Sequence, residues 1–316
     1  MRGEWAWAAL AVATALLGLL AVAEPTGAAS SNLQSRLEQY VDSRPGNYGV
    51  AIRNLASGET VLINADQPML AASTYKLLVM YRVYQQVEAG KLSMDEDVTI
   101  IDRDTGGDDG SSGFAPGQTT TVGDLLEAMI TISDNVAAWA LARRVGGWSV
   151  VESAATELGM GRTYLQGSDF YTSADDMLAF YTALASEQLV SQRASREMIA
   201  LLERQTGNDR LPAGVPDGVP VAHKTGELPQ VRNDVGIVFA PSGACVIAVL
   251  GNDADDGELV ETAIRVSEMT YFYFAQANVW RAMPGLVERK ETSVVRQCAL
   301  NWPTKTAGEE AVRGLP

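Results

Sequence analysis

Three short groups of polar residues have the types and the order needed for acyl transfer through a serine. Ser73-Thr74-Tyr75-Lys76, Ser133-Asp134-Asn135 and Lys224-Thr225-Gly226 follow one another along the 316-residue chain. A serine hydroxyl becomes a nucleophile when a neighbouring base takes its proton, and a desolvated lysine amine beside other cations can be that base. One such group alone is weak evidence, because serine and lysine are common. The ordered set indicates a serine acyl-transfer site.

The first group precedes a helical pattern. Apolar residues recur at helical spacing from Leu77 to Val87, and Gly90 is a good helix end. Ser73 is therefore expected at or next to a helix N-terminus, where unpaired N–H groups favour developing negative charge. Lys76 follows one turn later on the same face. We predict Ser73 as the nucleophile and Lys76 as a proton carrier; the alternative is a capping serine beside a surface lysine.

The second group lies between two apolar helical stretches, residues 122–132 and 136–145. Ser, Asp and Asn are also the residues that an ordinary turn would select, so composition alone does not decide their role. Ser133 follows Ser73 by 60 residues.

The third group follows residues 219–223 and precedes two strand-like runs, residues 234–240 and 244–250, joined by Pro241-Ser242-Gly243. This pattern predicts an edge strand followed by a hairpin, and an exposed edge can pair with a substrate amide. Lys224 would supply positive charge for a substrate carboxylate and for Ser133. Thr225 would supply a hydroxyl contact, and Gly226 would keep the edge free of side-chain bulk.

On these motifs, and on residues 208–214 and 232–236, the chain resembles class A β-lactamases and the related penicillin-recognising serine hydrolases. The resemblance covers about residues 33–277. It implies an acyl-enzyme on Ser73, a proton relay from Ser133 to the leaving nitrogen and an Asn135 contact to the substrate amide. Asp134 would be structural.

Two departures from that family bear on turnover. Class A enzymes carry an E-x-x-L-N segment whose glutamate activates the water that releases the acyl group. Between Asn135 and Thr172 the only glutamates are Glu152 and Glu157, both in a helical pattern. Ser133 and Lys224 are 91 residues apart, fewer than is usual in the family. Asp169 is the one carboxylate in the remaining segment that could substitute, although aspartate in a polar loop is commonly a turn former.

The second departure is Glu227, directly after Gly226, where the family has a small or hydroxyl residue. Its backbone N–H could still complete an oxyanion hole with that of Ser73. Its carboxylate should repel an anionic substrate, unless it points to solvent or pairs with Arg232.

The order of predicted elements is strands, then helices, then strands. First come a helix at 33–41 and two strands, at 48–54 and 59–63. A helical block then spans about residues 73–205. Three strands follow, at 222–225, 234–240 and 244–250, and the pattern ends with a helix from Asp256 to about Phe274. The predicted class is α/β of the α+β type, β-lactamase/transpeptidase-like. Its antiparallel sheet is flanked by helices and carries an inserted all-helical lobe, with the cleft between the two lobes. Residues 278–316 form a C-terminal tail of unassigned role.

The ends of the chain and its charge agree with export. Residues 5–23 are apolar and uncharged and end in Ala21-Val22-Ala23, so residues 1–23 are predicted as a cleaved signal peptide or an uncleaved membrane anchor. The net charge of −15 disfavours nucleic-acid partners. Two cysteines, Cys245 and Cys298, imply no disulfide framework, and Cys245 in an apolar strand is expected to be a buried thiol.

Other catalytic classes lack the residues they need. His223 is the only histidine, there is no G-x-S-x-G motif, and no His/Cys cluster predicts a metal site or cofactor. The acidic loop at 102–110 lacks the full spacing of a calcium site. Three hypotheses remain for an extracytoplasmic protein with a small-molecule partner. It hydrolyses β-lactams or related amides and esters, it is a D-Ala peptidase or transpeptidase acting on a peptidoglycan-like peptide, or it is a sensor that stays acylated.

Overall fold

The computed structural model describes residues 30–108 and 110–282, so the predicted signal segment, Cys298 and most of the predicted tail lie outside the described residues. The strands are β1 (Asn47–Asn54), β2 (Thr60–Ile63), β3 (Met69–Leu70), β4 (Asp97–Thr99), β5 (Thr119–Thr121), β6 (Tyr164–Gln166), β7 (Asp169–Thr172), β8 (Val221–Leu228), β9 (Val231–Ala240) and β10 (Gly243–Asn252). The helices are α1 (Ser30–Asp42), α2 (Lys76–Glu88), α3 (Val122–Thr131), α4 (Asn135–Val145), α5 (Trp148–Glu157), α6 (Ala174–Ala185), α7 (Gln192–Leu202) and α8 (Asp256–Ala282).

The main sheet has five antiparallel strands in the order β2-β1-β10-β9-β8. Successive side chains of a strand point to opposite faces, and β10 shows both faces buried. Residues Val246, Ala248 and Leu250 join the core shared with the helical block, and Cys245, Ile247 and Val249 join the core beneath α1 and α8. Cys245 is buried as predicted, and burial raises the pKa of its thiol to about 12.

The insertion between β2 and β8 contains α2 to α7, as the order of predicted elements indicated, but it also contains short strands. Two small antiparallel sheets lie within it, β4 paired with β5 and β3-β7-β6. Their strands have two to four residues, too short to show a period-two pattern in the sequence. Residues of the hairpin of β6 and β7 line the cavity that also contains Ser73.

Two elements extend further than their patterns predicted. The edge strand β8 runs to Leu228 rather than Thr225, because the main-chain pairing with β9 continues through Gly226 to the tight turn at 229–230. Helix α8 continues to Ala282, beyond the predicted end near Phe274 and into the predicted tail. Among the described helices, none has both the length and the apolar character that crossing a bilayer requires.

Candidate active site

Ser73 lies on a 3₁₀ turn, Ala72–Tyr75, which runs directly into α2. Ala72, the residue before it, has a left-handed backbone with φ of +45°, which is uncommon for a residue with a Cβ. Such backbone strain often marks a functional position. Ser73 therefore lies next to a helix N-terminus, as the sequence predicted, and it is only partly buried.

Lys76 is the first residue of α2, and its side chain is fully buried at 0% exposure. Its Nζ donates to the Ser133 carbonyl oxygen at 2.5 Å, to Ser133 Oγ at 3.1 Å and to Asn135 Oδ1 at 2.7 Å. A lysine that snorkels to the surface, the alternative that the sequence left open, is thereby excluded. The first and second motifs meet at this amine.

Ser133 precedes α4 in a left-handed conformation with φ of +61°. Asp134 supports that turn from both sides. Its Oδ1 accepts from the Ala137 N–H at 2.8 Å and caps α4, while its Oδ2 accepts from Ser112 Oγ at 2.8 Å. The structural role predicted for Asp134 agrees with these contacts.

Lys224 brings the third motif to the same point. It is fully buried at 0% exposure on β8, and its Nζ donates to Ser133 Oγ at 3.0 Å and to the Thr225 carbonyl oxygen at 3.0 Å. Burial, and then the nearby charge of Lys76, hold the pKa of the Lys224 amine well below its ordinary value. The pair therefore loses its first proton at a lower pH than a surface lysine would.

The Ser133 hydroxyl is thus shared by two lysine amines. A hydroxyl has two acceptor lone pairs and one proton to donate. Because Lys76 and Lys224 both donate to Ser133 Oγ, its lone pairs are engaged and its own proton is available to a third group. This arrangement can pass a proton from a lysine amine to an atom of a bound substrate.

At Gly226 the structure gives a packing reason for the absence of a side chain. A Cβ at this position would lie 2.8 Å from the Ala71 carbonyl oxygen, so the glycine allows β8 to approach the backbone that carries Ser73. Asn233, paired with Gly226 across the sheet, donates from Nδ2 to the carbonyl oxygens of Leu70 and Ala71 at 2.9 and 3.0 Å. These contacts fix the Ser73 turn against the edge of the sheet.

Glu227 pairs with Arg210. The pairing with Arg232 that the sequence suggested is therefore wrong. The Arg210 side chain is 1% exposed, its Nη1 donates to the Asn233 carbonyl oxygen at 3.1 Å, and its Nη2 donates to the Glu227 carboxylate. Arg232 pairs instead with Asp256 at 2.6 Å. Burial would raise the pKa of Glu227, but the hydrogen bond and charge of Arg210 outweigh it, so this pKa is lowered.

His223 contributes to packing through polar contacts. Its Nδ1 lies 2.8 Å from Asp234 Oδ1 and its Nε2 lies 3.2 Å from Asn208 Oδ1. The ring is buried within this polar cluster. Since both ring nitrogens have these partners, His223 does not serve Ser73 as a base.

Ser73, Asn135 and Glu227 line one cavity of about 520 Å³. The rest of its lining comes from the residues before Ser73, the loop after β4, α4, the start of α5 and the β6–β7 hairpin. The cavity is therefore the cleft between sheet and insertion that the sequence predicted. A substrate in it can contact Ser73, the edge strand β8 and the amide of Asn135 at once.

Comparison with known proteins identifies the family of the chain. The model of the beta-lactamase enzyme family matches residues 32–274. The chain belongs to this family. Relatives include the extended-spectrum beta-lactamase PER-1 of Pseudomonas aeruginosa, 25% identical over 83% of this chain and 94% of that protein. Beta-lactamase L2 of Stenotrophomonas maltophilia is 29% identical over 74% of this chain and 84% of its own length.

Solved structures give the same assignment. The structure of PBP-A has a TM-score of 0.74 and 28% identity, covering 78% of this chain and 97% of its own. A beta-lactamase from Sphaerobacter thermophilus has a TM-score of 0.71 and 26% identity, covering 78% and 98%. The protein is a serine hydrolase of the β-lactamase type, with the mixed fold that the sequence predicted.

This member of the β-lactamase family has few carboxylates near Ser73. Of the described residues, Asp169 and Glu227 are the acidic side chains that line the cavity. Glu152 accepts a hydrogen bond from the Leu165 N–H at 2.9 Å, and Glu157 pairs with Arg82 at 2.6 Å. Both glutamates that the sequence considered are therefore occupied in structural contacts. Asp169, exposed at the start of β7, stays the candidate for activating water.

Sequence reasoning missed two residues that shape this site, Arg210 and Asn233. Both lie in segments that resemble the family, but their roles depend on which atoms they reach across the fold. A buried arginine needs a partner for its charge, and no sequence spacing pointed from Arg210 to Glu227. The register of β8 with β9 places Asn233 behind the Ser73 turn.

Proposed function

We propose that the protein is an exported active-site-serine hydrolase that forms an acyl-enzyme on Ser73 with β-lactams or related amides and esters. The observation that carries this proposal is the Ser133 hydroxyl held between Lys76 and Lys224, beside the cavity that Ser73 lines. An exported protein would use residues 1–23 as its signal peptide or anchor.

In the proposed reaction Ser73 Oγ attacks the substrate carbonyl carbon while its proton passes to an amine of the lysine pair. The carbonyl oxygen becomes an oxyanion near the Ser73 turn and the end of β8, where backbone N–H groups can stabilise it. The carbonyl–nitrogen bond then breaks and the Ser133 hydroxyl donates its proton to the leaving nitrogen. Ser133 recovers a proton from the neighbouring lysine, which leaves an ester on Ser73 and a neutral amine.

Release of the acyl group is proposed to be the slow step. Water is a poor nucleophile unless a base takes its proton, and the cavity offers two carboxylates for that purpose. Glu227 is already paired with Arg210, which makes it a weaker base. Asp169 is exposed and has no side-chain partner that would orient a water beside Ser73 among the described contacts. We therefore expect a long-lived acyl-enzyme.

Slow release of a β-lactam acyl group is also expected of the two alternatives, a D-Ala peptidase or transpeptidase and a sensor that stays acylated. A solved variant of PBP-A, 28% identical to this chain, is an acyl-enzyme complex with penicillin G. An acyl-enzyme in that neighbour supports acylation by a penicillin, a step that both alternatives share with the first proposal. They differ from the first proposal in the natural substrate and in the fate of the acyl group.

The test is incubation of the purified protein with a chromogenic β-lactam, following colour and intact mass together. We expect a burst of colour equal to one equivalent, a single adduct mass and a slow steady state. Ser73→Ala should form no adduct, because the attacking oxygen is gone. Adduct on Ser73→Ala would refute Ser73 as the nucleophile, and rapid colour without a burst would refute slow release.

A D-Ala-D-Ala peptide and an amine acceptor in the same assay separate the alternatives. Formation of the acyl-enzyme expels one D-alanine in every case. Repeated turnover that yields the shortened free peptide indicates a peptidase, and a peptide joined to the acceptor indicates a transpeptidase. An adduct that persists with neither product indicates a sensor.

A further inference from the structure

Helix α8 carries four consecutive aromatic residues near its end: Tyr271, Phe272, Tyr273 and Phe274. Successive residues of a helix point about 100° apart around its axis, so four in a row cannot all face the core. Phe274 is buried in the core beneath α1 and α8, whereas Phe272 is 38% exposed and both tyrosines are half-buried. We call Tyr271, Phe272 and Tyr273 the aromatic end of α8.

Helices α1 and α8 pack against each other and run in opposite directions. Arg44, just after α1, pairs with Glu258 in the first turn of α8. Arg265, two turns further along α8, interacts electrostatically with Tyr40, which precedes Arg44 by one turn. The contacts therefore move backwards along α1 as they move forwards along α8.

The aromatic end of α8 lies at the level of the start of α1. Ser30 lies 14 residues before Arg44, and Phe272 lies 14 residues after Glu258. Since each helical residue advances by about 1.5 Å, the antiparallel pairing places Ser30 and Phe272 at the same height. The point where the N-terminal segment enters the domain is therefore next to the exposed aromatic rings.

The N-terminal segment brings this part of the domain close to a membrane if it is retained as an anchor. Only residues 24–29 separate Ser30 from the apolar stretch of residues 5–23. An extended chain spans at most about 3.6 Å per residue, so Ser30 lies no more than about 25 Å from the end of that stretch. The same tether holds the aromatic end of α8 near the lipid surface.

The chemistry of the aromatic end suits an uncharged part of that surface. Aromatic side chains are enriched where membrane proteins meet lipid headgroups, because their rings are apolar and a tyrosine hydroxyl can reach water. The charged residues that precede the aromatic end on α8, Arg265 and Glu268, pair with each other. The net charge of −15 would be repelled by anionic lipids. A contact with lipid would therefore be apolar and not electrostatic.

The opposite end of α8 lies beside the substrate cavity. Asp256, the first residue of α8, accepts from the Gln230 N–H at 3.2 Å and from Arg232 at 2.6 Å. Leu228, at the end of the adjoining strand β8, lines the cavity. Phe272 follows Asp256 by 16 residues, which is about 24 Å along a helix. The cavity and the aromatic end are therefore separated by most of the length of α8.

We propose that the protein keeps residues 1–23 as a membrane anchor and that the aromatic end of α8 contacts the bilayer surface, at the level of the lipid headgroups. This contact orients the domain, with the cavity at the far end of α8 and away from the lipid. The inference takes one of the two alternatives that the sequence left open for residues 1–23, and it is independent of the acyl-enzyme chemistry.

The first measurement uses the full chain in phosphatidylcholine nanodiscs with a nitroxide label on Phe272→Cys, in a Cys298→Ser background. Electron paramagnetic resonance compares label collisions with oxygen, which concentrates in lipid, and with a water-soluble nickel chelate. Ile101→Cys, at an exposed apolar position of the insertion, and Gln230→Cys, beside the start of α8, are the matched controls. We expect an oxygen-to-nickel ratio about fivefold higher at Phe272 than at either control, as for a ring at headgroup depth.

Three results would overturn the bilayer contact. Equal ratios at the three positions would show that the aromatic end faces water. A label on Phe272→Cys that is shielded from both reagents would show that protein covers it, such as residues 283–316. Spin–spin broadening of its spectrum would show that a second copy of the chain covers it.

A second measurement distinguishes contact by the aromatic side chain from mere tethering. The label is moved to Asn32→Cys, an exposed position in the first turn of α1. Phe272→Gln should lower the oxygen-to-nickel ratio there by about twofold or more, because an apolar contact with the interface is lost. Ile101→Gln is the control and should leave the ratio unchanged. No change in Phe272→Gln, or loss of the native ratio in high salt, would overturn the apolar contact.

Fractionation of a bacterial host that produces the full chain tests whether the anchor is retained. We expect the protein in the membrane fraction, resistant to extraction by salt and by alkaline carbonate, with an intact mass that includes residues 1–23. Recovery only as a soluble chain without those residues would overturn the proposal. Neither result changes the adduct test on Ser73, so the two proposals fail separately.

Discussion

Two regions of the active site differ in charge and burial. In one region two fully buried lysines, Lys76 and Lys224, share the Ser133 hydroxyl. In the other region, the lining of the cavity, the charged side chains among the described residues are the exposed carboxylates of Asp169 and Glu227. The lysines belong to the motifs on which the family resemblance rests, whereas Glu227 is one of the two departures from it.

This difference separates the groups expected to affect proton transfer from the groups expected to affect which substrates bind. Buried amines that share one hydroxyl interact strongly, so removing one of them changes the proton affinity of the other. Exposed carboxylates are screened by water and ions, so their effects should be small and dependent on salt. The predictions below test that contrast from its strongest consequence to its weakest.

The largest effect is expected from removing Lys76 or Ser133. Lys76→Ala and Ser133→Ala should each slow acylation by about 10² to 10⁴, the range for general acid–base groups. Stopped-flow acylation with a chromogenic β-lactam measures this. Lys91→Ala, which removes an exposed lysine after α2, is the control and should react like the native protein. Unchanged rates in both active-site variants would exclude the Ser-Lys mechanism.

The pH dependence of acylation should reflect the lysine pair. The amine accepts the Ser73 proton only when it is itself unprotonated, so the rate should rise about tenfold per pH unit and then level off. Because the pKa of Lys224 is lowered, the plateau should begin below the ordinary lysine value of about 10.4. A plateau reached only above that value would contradict the lowered pKa.

The contribution of the Lys76 charge to the lowered pKa of Lys224 can be tested directly. Lys76→Met removes the charge next to Lys224, so the Lys224 pKa should rise, which ¹⁵N NMR of the lysine side chains can follow. No rise would show that the charge of Lys76 does not lower the Lys224 pKa.

Glu227→Ser should have a moderate effect that depends on the substrate. The variant removes a carboxylate from the cavity and frees Arg210, so acylation by carboxylate-bearing lactams should rise about three- to tenfold, less at high salt. Neutral esters should change little. Glu187→Ser breaks a surface pair with Arg196 and serves as the matched control. Equal changes for both substrate types would refute the electrostatic explanation.

The smallest effect is expected for Asp169→Asn. If this exposed carboxylate does not activate water, the rate of acyl-enzyme decay measured by intact mass should change less than about twofold. Asp175→Asn, an exposed aspartate at the start of α6, is the control. A decay more than about tenfold slower in Asp169→Asn alone would assign to Asp169 the role that a glutamate has in class A enzymes.

The course of the main elements was predictable from the sequence because each depends on local patterns. The helical spacing after Lys76 and the strands on both sides of Pro241 and Ser242 appear where they were predicted. The short strands of the insertion were not predictable, since two to four residues show no period. The end of β8 was also missed, because its last residues pair only through the register with β9.

The sequence by itself determined the motif residues and their order, which are covalent facts and are sufficient to indicate a serine acyl-transfer site. Only the tertiary structure decided that Lys76 and Lys224 meet at one hydroxyl and that Arg210, not Arg232, holds Glu227. It also decided that the rings of Tyr75, Trp139, Trp148 and Phe170 pack against one another. The reason is physical: a pKa, an ion pair and a subsite depend on distances between side chains, and chain folding sets those distances across many intervening residues.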